Sequence, residues 1–268
     1  MNAVSASTTM NTATAATGTT PQATLITSAL IQNNEGVALL SSGKPQEAIA
    51  YIKRSLAMLN QSLITPMEES KASPSEVFDL YMLSTVPFLS SNEDDCRQGD
   101  ELRLFDGALA LALSAGGPRP EDVAFYSAAG MLNLAVAVHQ VAKMASWSSF
   151  PQDQARANAL YQKADRLYRS AQQVLEVSLQ HQQGQPHATK HMFRFLFVAA
   201  QNNRLVIALE VGNISGEQLK KEMDAMLKVL SRDGGCPPQE QAFLDEFFLN
   251  TALLDMTCML KALAAPCA

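Results

Sequence analysis

Five asparagines are the residues whose type and spacing best suit binding chemistry. They recur along the 268-residue chain, each inside a predicted helix: Asn33, Asn34, Asn133, Asn202 and Asn203. An asparagine side chain carries both a hydrogen-bond donor and an acceptor. It can therefore bond the N–H and C=O groups of an extended peptide backbone without requiring a particular side chain on that peptide. The recurrence predicts a peptide-binding surface built from these five residues.

Histidines suggest a second kind of chemistry near the middle of the chain. His187 and His191 stand four residues apart on one helix face, with His181 nearby, and that spacing suits zinc or copper. No cysteine or carboxylate completes the set at a suitable spacing, and Lys190 and Arg194 lie close by. A solvated, partly basic helix end is the better interpretation, so no metal site is expected.

Sequence motifs of catalysis are missing from the chain. It has no phosphate-binding Walker motif, no glycine-rich dinucleotide turn and no nucleophile elbow. His139 lies in an apolar predicted helix, where a hydrogen-bonded core histidine is a better interpretation than a catalytic base. We therefore expect no catalytic residues and no cofactor, and we expect that the protein is not an enzyme.

The charge balance and the cysteines narrow the classes of partner and compartment. A formal net charge of −6 gives no electrostatic support for nucleic-acid binding. The N-terminal residues lack a secretory signal pattern, and no segment is a convincing membrane span. The cysteines are dispersed, without a CxxC pair, which favours reduced thiols; they are Cys96, Cys236, Cys258 and Cys267. A cytoplasmic protein without nucleic-acid or membrane partners is expected.

Most of the chain has a helical pattern, best seen over Leu30–Asn60. Gly43 tolerates the left-handed conformation that ends a first helix, and Pro45 stands near the start of a second, where its missing N–H costs nothing. Apolar residues of the second helix recur at three- and four-residue steps. Small residues, Gly36 and Ala48, stand where the two helices must approach. These features predict two helices joined by a tight turn.

One region departs from this helical pattern. Val77–Leu89 is rich in β-branched and aromatic residues, and Leu102–Leu113 alternates partly with a period of two. A polar, acidic turn, Ser90–Asp100, lies between them. The pattern predicts a two-stranded antiparallel hairpin that packs on the helices, because an isolated hairpin is marginally stable. A short helix over Leu102–Ser114 is the open alternative.

The helical hairpin of Leu30–Asn60 resembles a tetratricopeptide (TPR) repeat, which has a period of about 34 residues. Four small residues and one bulky residue match the family pattern: Gly36, Gly43, Ala48, Ser55 and Ile52. Two positions depart from it, Gln32 and Glu35. A second match has a longer connection between its helices and includes Leu134, Ala135, Val138, Ala164, Tyr168 and Ala171. A third, more diverged match follows.

The resemblance implies an all-α fold: a short TPR-like α-solenoid of about three helical hairpins, with a small β-hairpin insertion and a C-terminal capping helix. A disordered tail rich in Ser, Thr and Ala is expected over residues 1–22, before a helical domain over 23–264. Its expected parts are repeat 1 (about 23–63), the insertion (about 77–113), repeat 2 (about 120–181), repeat 3 (about 187–231) and the capping helix (about 239–263).

In the family, the first helices of the hairpins line a concave surface. The resemblance puts Asn34, Asn133 and Asn203 at one equivalent position there, which implies a groove with a ladder of asparagines. The alternative is that these asparagines bond neighbouring turns and stabilise the stack. TPR proteins that bind acidic chaperone C-termini use Lys and Arg nearby, and no such clamp is expected here. The clamp positions correspond to Asn33 and Val37 in the first repeat and to Ala199 and Asn203 in the third. Of the asparagines, only Asn133 in the second repeat fits the clamp pattern.

The resemblance and the asparagines together predict a non-catalytic protein–protein interaction scaffold or adaptor. It would bind an unidentified protein or peptide in its groove. Two alternatives stay open: a self-assembling structural protein, and a helical enzyme or small-molecule-binding protein.

Overall fold

A computed structural model of the chain describes residues 20–64, 84–86, 108–111, 122–181 and 187–212, together with 218, 221–222, 224–226 and 228; for 84–86, 181 and 187–192 it describes the backbone alone. The described part is mostly helical, which confirms the helical class. The elements are α1 (Pro21–Ser41), α2 (Pro45–Ile64), β1 (Ser84–Val86), β2 (Ala108–Ala110), α3 (Val123–Ser146), α4 (Pro151–His181) and α5 (His187–Glu210).

A tight turn joins α1 to α2. Gly43 has a φ of 74°, the left-handed conformation that glycine adopts at low cost. The Gly43 N–H donates to Leu40 O (3.0 Å), and the Lys44 N–H donates to Leu39 O (2.9 Å). These two bonds satisfy carbonyls that a helix end otherwise leaves without partners. Pro45 is the first residue of α2, so the chain reverses within three residues.

Each helix packs on the next along the chain: α1 on α2, α2 on α3, α3 on α4 and α4 on α5. The α1–α2 approach is close because a Cβ at Gly36 would lie 2.5 Å from Cγ1 of Ile52. The α2–α3 approach is looser, since a Cβ at Gly130 would lie 3.0 Å from Cδ2 of Leu56. Glycines therefore set the spacing of the first three helices.

Helix α3 lies at the centre of the described structure. It contacts α2 and α4 extensively and also touches α1, α5 and β2. Because neighbours surround it, most of its residues are buried, including polar Asn133 and His139. On the facing side of α4, Ala164, Tyr168 and Ala171 are fully buried. The core is thus continuous from α1 to α5.

The two short strands lie in the stretch between α2 and α3. They pair antiparallel, with Ser84 opposite Ala110 and Val86 opposite Ala108. The helix considered for Leu102–Ser114 is wrong for residues 108–110, which form β2. β2 also packs against α1 and α3, so it joins the helical core.

Several predicted segments lie outside the described residues. They are the tail over residues 1–19, most of the insertion, the capping helix at about 239–263 and all four cysteines. Helix α1 begins at Pro21, two residues before the expected start at Ala23. Among the described helices, none has the length and apolar character that crossing a membrane requires.

Candidate peptide-binding site

The side chain of Asn34 forms a paired contact with the backbone of one residue, Leu111. The Leu111 N–H donates to Asn34 Oδ1 (2.8 Å), and Asn34 Nδ2 donates to Leu111 O (2.8 Å). Both groups of the carboxamide are used, in the way that a neighbouring β-strand would use its own N–H and C=O. The two residues are 77 positions apart, so α1 reaches across to the end of β2.

Asn133 of α3 makes the same paired contact two residues earlier in the extended segment. The Leu109 N–H donates to Asn133 Oδ1 (2.8 Å), and Asn133 Nδ2 donates to Leu109 O (2.9 Å). Asn133 Nδ2 also donates to Asn33 Oδ1 (3.0 Å). Asn33 Nδ2 in turn donates to Leu109 O (3.1 Å) and to Asn34 Oδ1 (3.3 Å). The three side chains form one connected network, here named the asparagine site (Asn33, Asn34 and Asn133).

The asparagine site occupies one edge of β2, and β1 occupies the other. In an antiparallel ladder the N–H and C=O groups of successive residues point to opposite edges. Those of Leu109 and Leu111 point to the asparagines, so those of Ala108 and Ala110 point towards β1. The carboxamides of Asn34 and Asn133 therefore replace a third strand along β2.

Because the asparagine side chains are buried or half-buried, leaving their polar groups without hydrogen-bond partners would destabilise the fold. Asn33 and Asn133 are fully buried, and Asn34 is half-buried. A buried polar group without a partner costs about 1–3 kcal/mol. Each carboxamide nitrogen and oxygen of the site has at least one partner, in another asparagine or in the backbone at residues 109 and 111. A chain segment bound at this place must therefore be extended and must offer N–H and C=O groups at alternate residues.

The structure places the other two asparagines at the contact between α4 and α5. Asn203 Nδ2 donates to Tyr168 Oη (3.1 Å), and Asn202 Nδ2 donates to Asn203 Oδ1 (3.3 Å). The second bond has the same direction and length as the bond from Asn33 to Asn34. The five predicted residues thus form two groups, and the bonds to the segment at residues 109–111 come from the three residues of the asparagine site.

His139 forms a separate polar cluster in the core. Its Nε2 lies 3.0 Å from Oε2 of Glu210, the last residue of α5. Its ring packs edge-on against Tyr161, with centroids 5.5 Å apart, and against Tyr168, at 6.4 Å. The expectation of a core histidine agrees with its complete burial, but only Nε2 has a hydrogen-bond partner, and Nδ1 is buried without one in the described part of the chain. Its acidic partner, 71 residues away, was not predicted.

The cluster shifts the pKa values of Glu210 and Tyr161. Burial alone would raise the pKa of Glu210, but the hydrogen bond and charge of His139, with the charge of Lys143, lower that pKa below its ordinary value. Burial raises the pKa of Tyr161, the bond with Ser146 lowers it, and the charge of Glu210 raises it further. Tyr161 therefore stays protonated near neutral pH, and Glu210 stays ionised.

Replacing Glu210 with glutamine is expected to change how stability depends on pH. A carboxyl with a lowered folded pKa stabilises the fold fully above its unfolded value, here 4.5, and the contribution disappears as pH falls through the folded pKa. Glu210→Gln should lower the free energy of unfolding by about 1 kcal/mol near neutral pH. The difference should vanish at acidic pH.

Urea unfolding at a series of pH values measures this difference. The exposed Glu176→Gln on the surface of α4 is the matched control, and it should leave the profile unchanged. A Glu210→Gln profile parallel to that of the wild type down to strongly acidic pH would contradict the role of the His139–Glu210 pair.

The histidines considered for metal binding stand at the ends of two helices. His181 ends α4 and His187 begins α5, with His191 one turn further. Their side chains lie outside the described residues. Within the part of the chain whose side chains are described, no group of three or more His, Cys, Asp or Glu residues could hold a metal ion.

The strand at residues 108–110 lies inside the predicted strand Leu102–Leu113, but its contact with the asparagines was not predicted. A partial signal exists, because Ala108 to Leu111 alternates small and large apolar residues. Four residues are too few for the alternation to decide between strand and helix. Nothing in the pattern indicates that this strand lies beside Asn34 and Asn133.

Comparison of the chain with protein-family models, with curated proteins and with solved structures found no match in any of the three. The geometry of the asparagine site is therefore the basis on which a function is inferred.

Proposed function

We propose that this protein is a non-catalytic interaction scaffold of TPR-like architecture, which binds an extended peptide segment through the asparagine site. The architecture is supported by the sequential packing of α1 to α5. It is also supported by the close approach of Gly36 to Ile52 inside the first hairpin. Consecutive helices that contact mainly their neighbours are the defining property of a solenoid.

The single observation that carries the binding function is the pair of two-point contacts on one strand edge. Asn34 bonds the N–H and C=O of Leu111, and Asn133 bonds those of Leu109. Main-chain hydrogen bonds of this kind give affinity for extended peptides, and pockets for alternate side chains give specificity. The site therefore has the chemistry of a peptide receptor, and the segment bound to it here belongs to the same chain.

The binding function is tested by selecting peptides on the purified full-length protein from a random display library. The recovered peptides are then measured by fluorescence anisotropy against Leu111→Pro, whose own segment has no N–H to donate to Asn34, with and without Asn34→Ala. We expect affinity to fall about tenfold, because two hydrogen bonds of about 0.5–1.5 kcal/mol each are lost. Asn34 is the best choice within the site because it is half-buried, so its removal disturbs the core least.

The matched control is Asn60→Ala, on the exposed surface of α2, which should bind the peptides as the wild type does. Thermal unfolding of both variants establishes that they remain folded. Equal affinity of Leu111→Pro with and without Asn34→Ala for every selected peptide would refute peptide binding at the asparagine site.

A further inference from the structure

The segment at residues 108–111 is held in the manner of a bound peptide. The asparagine site forms hydrogen bonds with the N–H and C=O groups of Leu109 and Leu111. Its side chains are also enclosed: Leu109 is 0% exposed, Leu111 is 4% exposed and Ala108 is 0% exposed. Ala110 is half-buried. The site thus combines two paired backbone contacts with buried apolar positions for two leucines and one small residue.

We infer that the ligand of the asparagine site is a partner segment of the form small–Leu–any–Leu in extended conformation, and that β2 is its intramolecular competitor. This inference rests on the proposed function and adds to it the chemistry of the partner. The partner segment would take the place of residues 108–111 and form the same bonds to Asn34 and Asn133.

The bonding pattern defines what the partner must carry. The residues equivalent to Leu109 and Leu111 each need a backbone N–H, so neither position tolerates proline or an N-methyl group. Their side chains share one face of the strand, because successive side chains alternate. The residue equivalent to Ala108 is enclosed and must be small. The residue equivalent to Ala110 is the least restricted of the four.

The intramolecular segment raises the concentration that a partner needs. A tethered ligand acts at an effective concentration of about 1 mM. If the intrinsic dissociation constant of a free segment is about 10 μM, the competitor raises its apparent value about 100-fold. A change that weakens β2 while leaving the asparagines intact should therefore open the site to a free peptide.

Leu111→Pro is such a change. Proline has no N–H to donate to Asn34 Oδ1, so the paired contact of Asn34 loses one of its two bonds. The probe is a fluorescent peptide with the sequence of residues 106–113, flanked by lysines for solubility. We expect this probe to bind the full-length Leu111→Pro protein on the order of 100-fold more tightly than the wild type. Adding Asn34→Ala to Leu111→Pro should reduce that binding about tenfold.

The control probe has the same sequence with N-methyl groups at the residues equivalent to Leu109 and Leu111. It keeps the side chains and removes the two donors, so it should not bind. Equal binding of the unmodified probe to the wild type and to Leu111→Pro, with loss in Asn34→Ala, would refute the competitor and leave the proposed function standing. Absence of probe binding to folded Leu111→Pro would refute the Leu–any–Leu ligand.

A second measurement applies if Leu111→Pro does not fold. Hydrogen exchange of the wild-type protein is followed at the amides of Leu109 and Leu111, with and without excess probe. Displacement predicts faster exchange of both amides when the probe is present. Unchanged exchange at saturating probe would overturn the competitor. A concentration-dependent dimer of the wild type with slow exchange at these amides would overturn it in favour of strand exchange between two copies.

Discussion

Replacing Asn133 with aspartate is expected to destabilise the protein by about 3–5 kcal/mol, the typical cost of an uncompensated buried charge. The substitution keeps the size and shape of the side chain. Asn133 Nδ2 donates to Leu109 O and to Asn33 Oδ1, so in the variant a carboxylate oxygen would face two oxygen acceptors. Such a loss is a large fraction of the 5–15 kcal/mol that usually stabilises a domain.

Urea unfolding with linear extrapolation measures this loss. Asn133→Ala is expected to cost less, about 1–3 kcal/mol, because it leaves the Leu109 N–H without its acceptor but introduces no charge. Asn158→Asp on the exposed surface of α4 adds the same charge, and it should have little effect. If Asn133→Asp were as stable as Asn158→Asp, then the network seen around Leu109 would not exist in solution.

The second large effect is expected at Gly36, where alanine should destabilise the protein by about 1–3 kcal/mol. Alanine normally stabilises a helix interior by about 1 kcal/mol relative to glycine. Here its Cβ would lie 2.5 Å from Cγ1 of Ile52 and 3.3 Å from Ala48 O. Neither contact is the far end of a flexible side chain, so α1 and α2 must move apart.

Gly130→Ala provides the matched comparison for this prediction. Its Cβ would meet only Leu56, at 3.0 Å from Cδ2, and that methyl group can move. Gly130→Ala should therefore be neutral or slightly stabilising in thermal and urea unfolding. In an Ile52→Ala background, Gly36→Ala should destabilise much less, because the 2.5 Å contact with Cγ1 of Ile52 is gone and the 3.3 Å contact with Ala48 O remains. A similar effect of both glycine substitutions in the wild-type background would contradict the close α1–α2 approach.

The bounds of the helices could be predicted closely from local patterns. The α1–α2 turn follows from Gly43 and Pro45, since these two residues have strong conformational preferences of their own. The recurrence of Asn33, Asn34 and Asn133 also indicated chemistry with an extended backbone. The turn depends on neighbouring residues alone, and the asparagines are apparent from their residue type.

The occupant of the asparagine site could not be predicted in the same way. The bond between Asn34 and Leu111 joins residues 77 positions apart, and a carboxamide pairs equally well with any backbone. Glu210 could not be predicted as the partner of His139 for the same reason, because the two residues are 71 positions apart, on α5 and α3. The sequence indicated a surface that binds peptides from outside, whereas the structure has a segment of the same chain there.

The arrangement of β2 has a consequence for solubility. A strand whose N–H and C=O groups face water is a template on which other chains can assemble, and alternating alanine and leucine makes such assembly easier. β2 has β1 along one edge and the carboxamides of Asn34 and Asn133 along the other. A carboxamide satisfies the edge but cannot itself be extended by another strand. The two asparagines therefore terminate the sheet on the β2 side and leave no free edge of β2 with which another chain could pair.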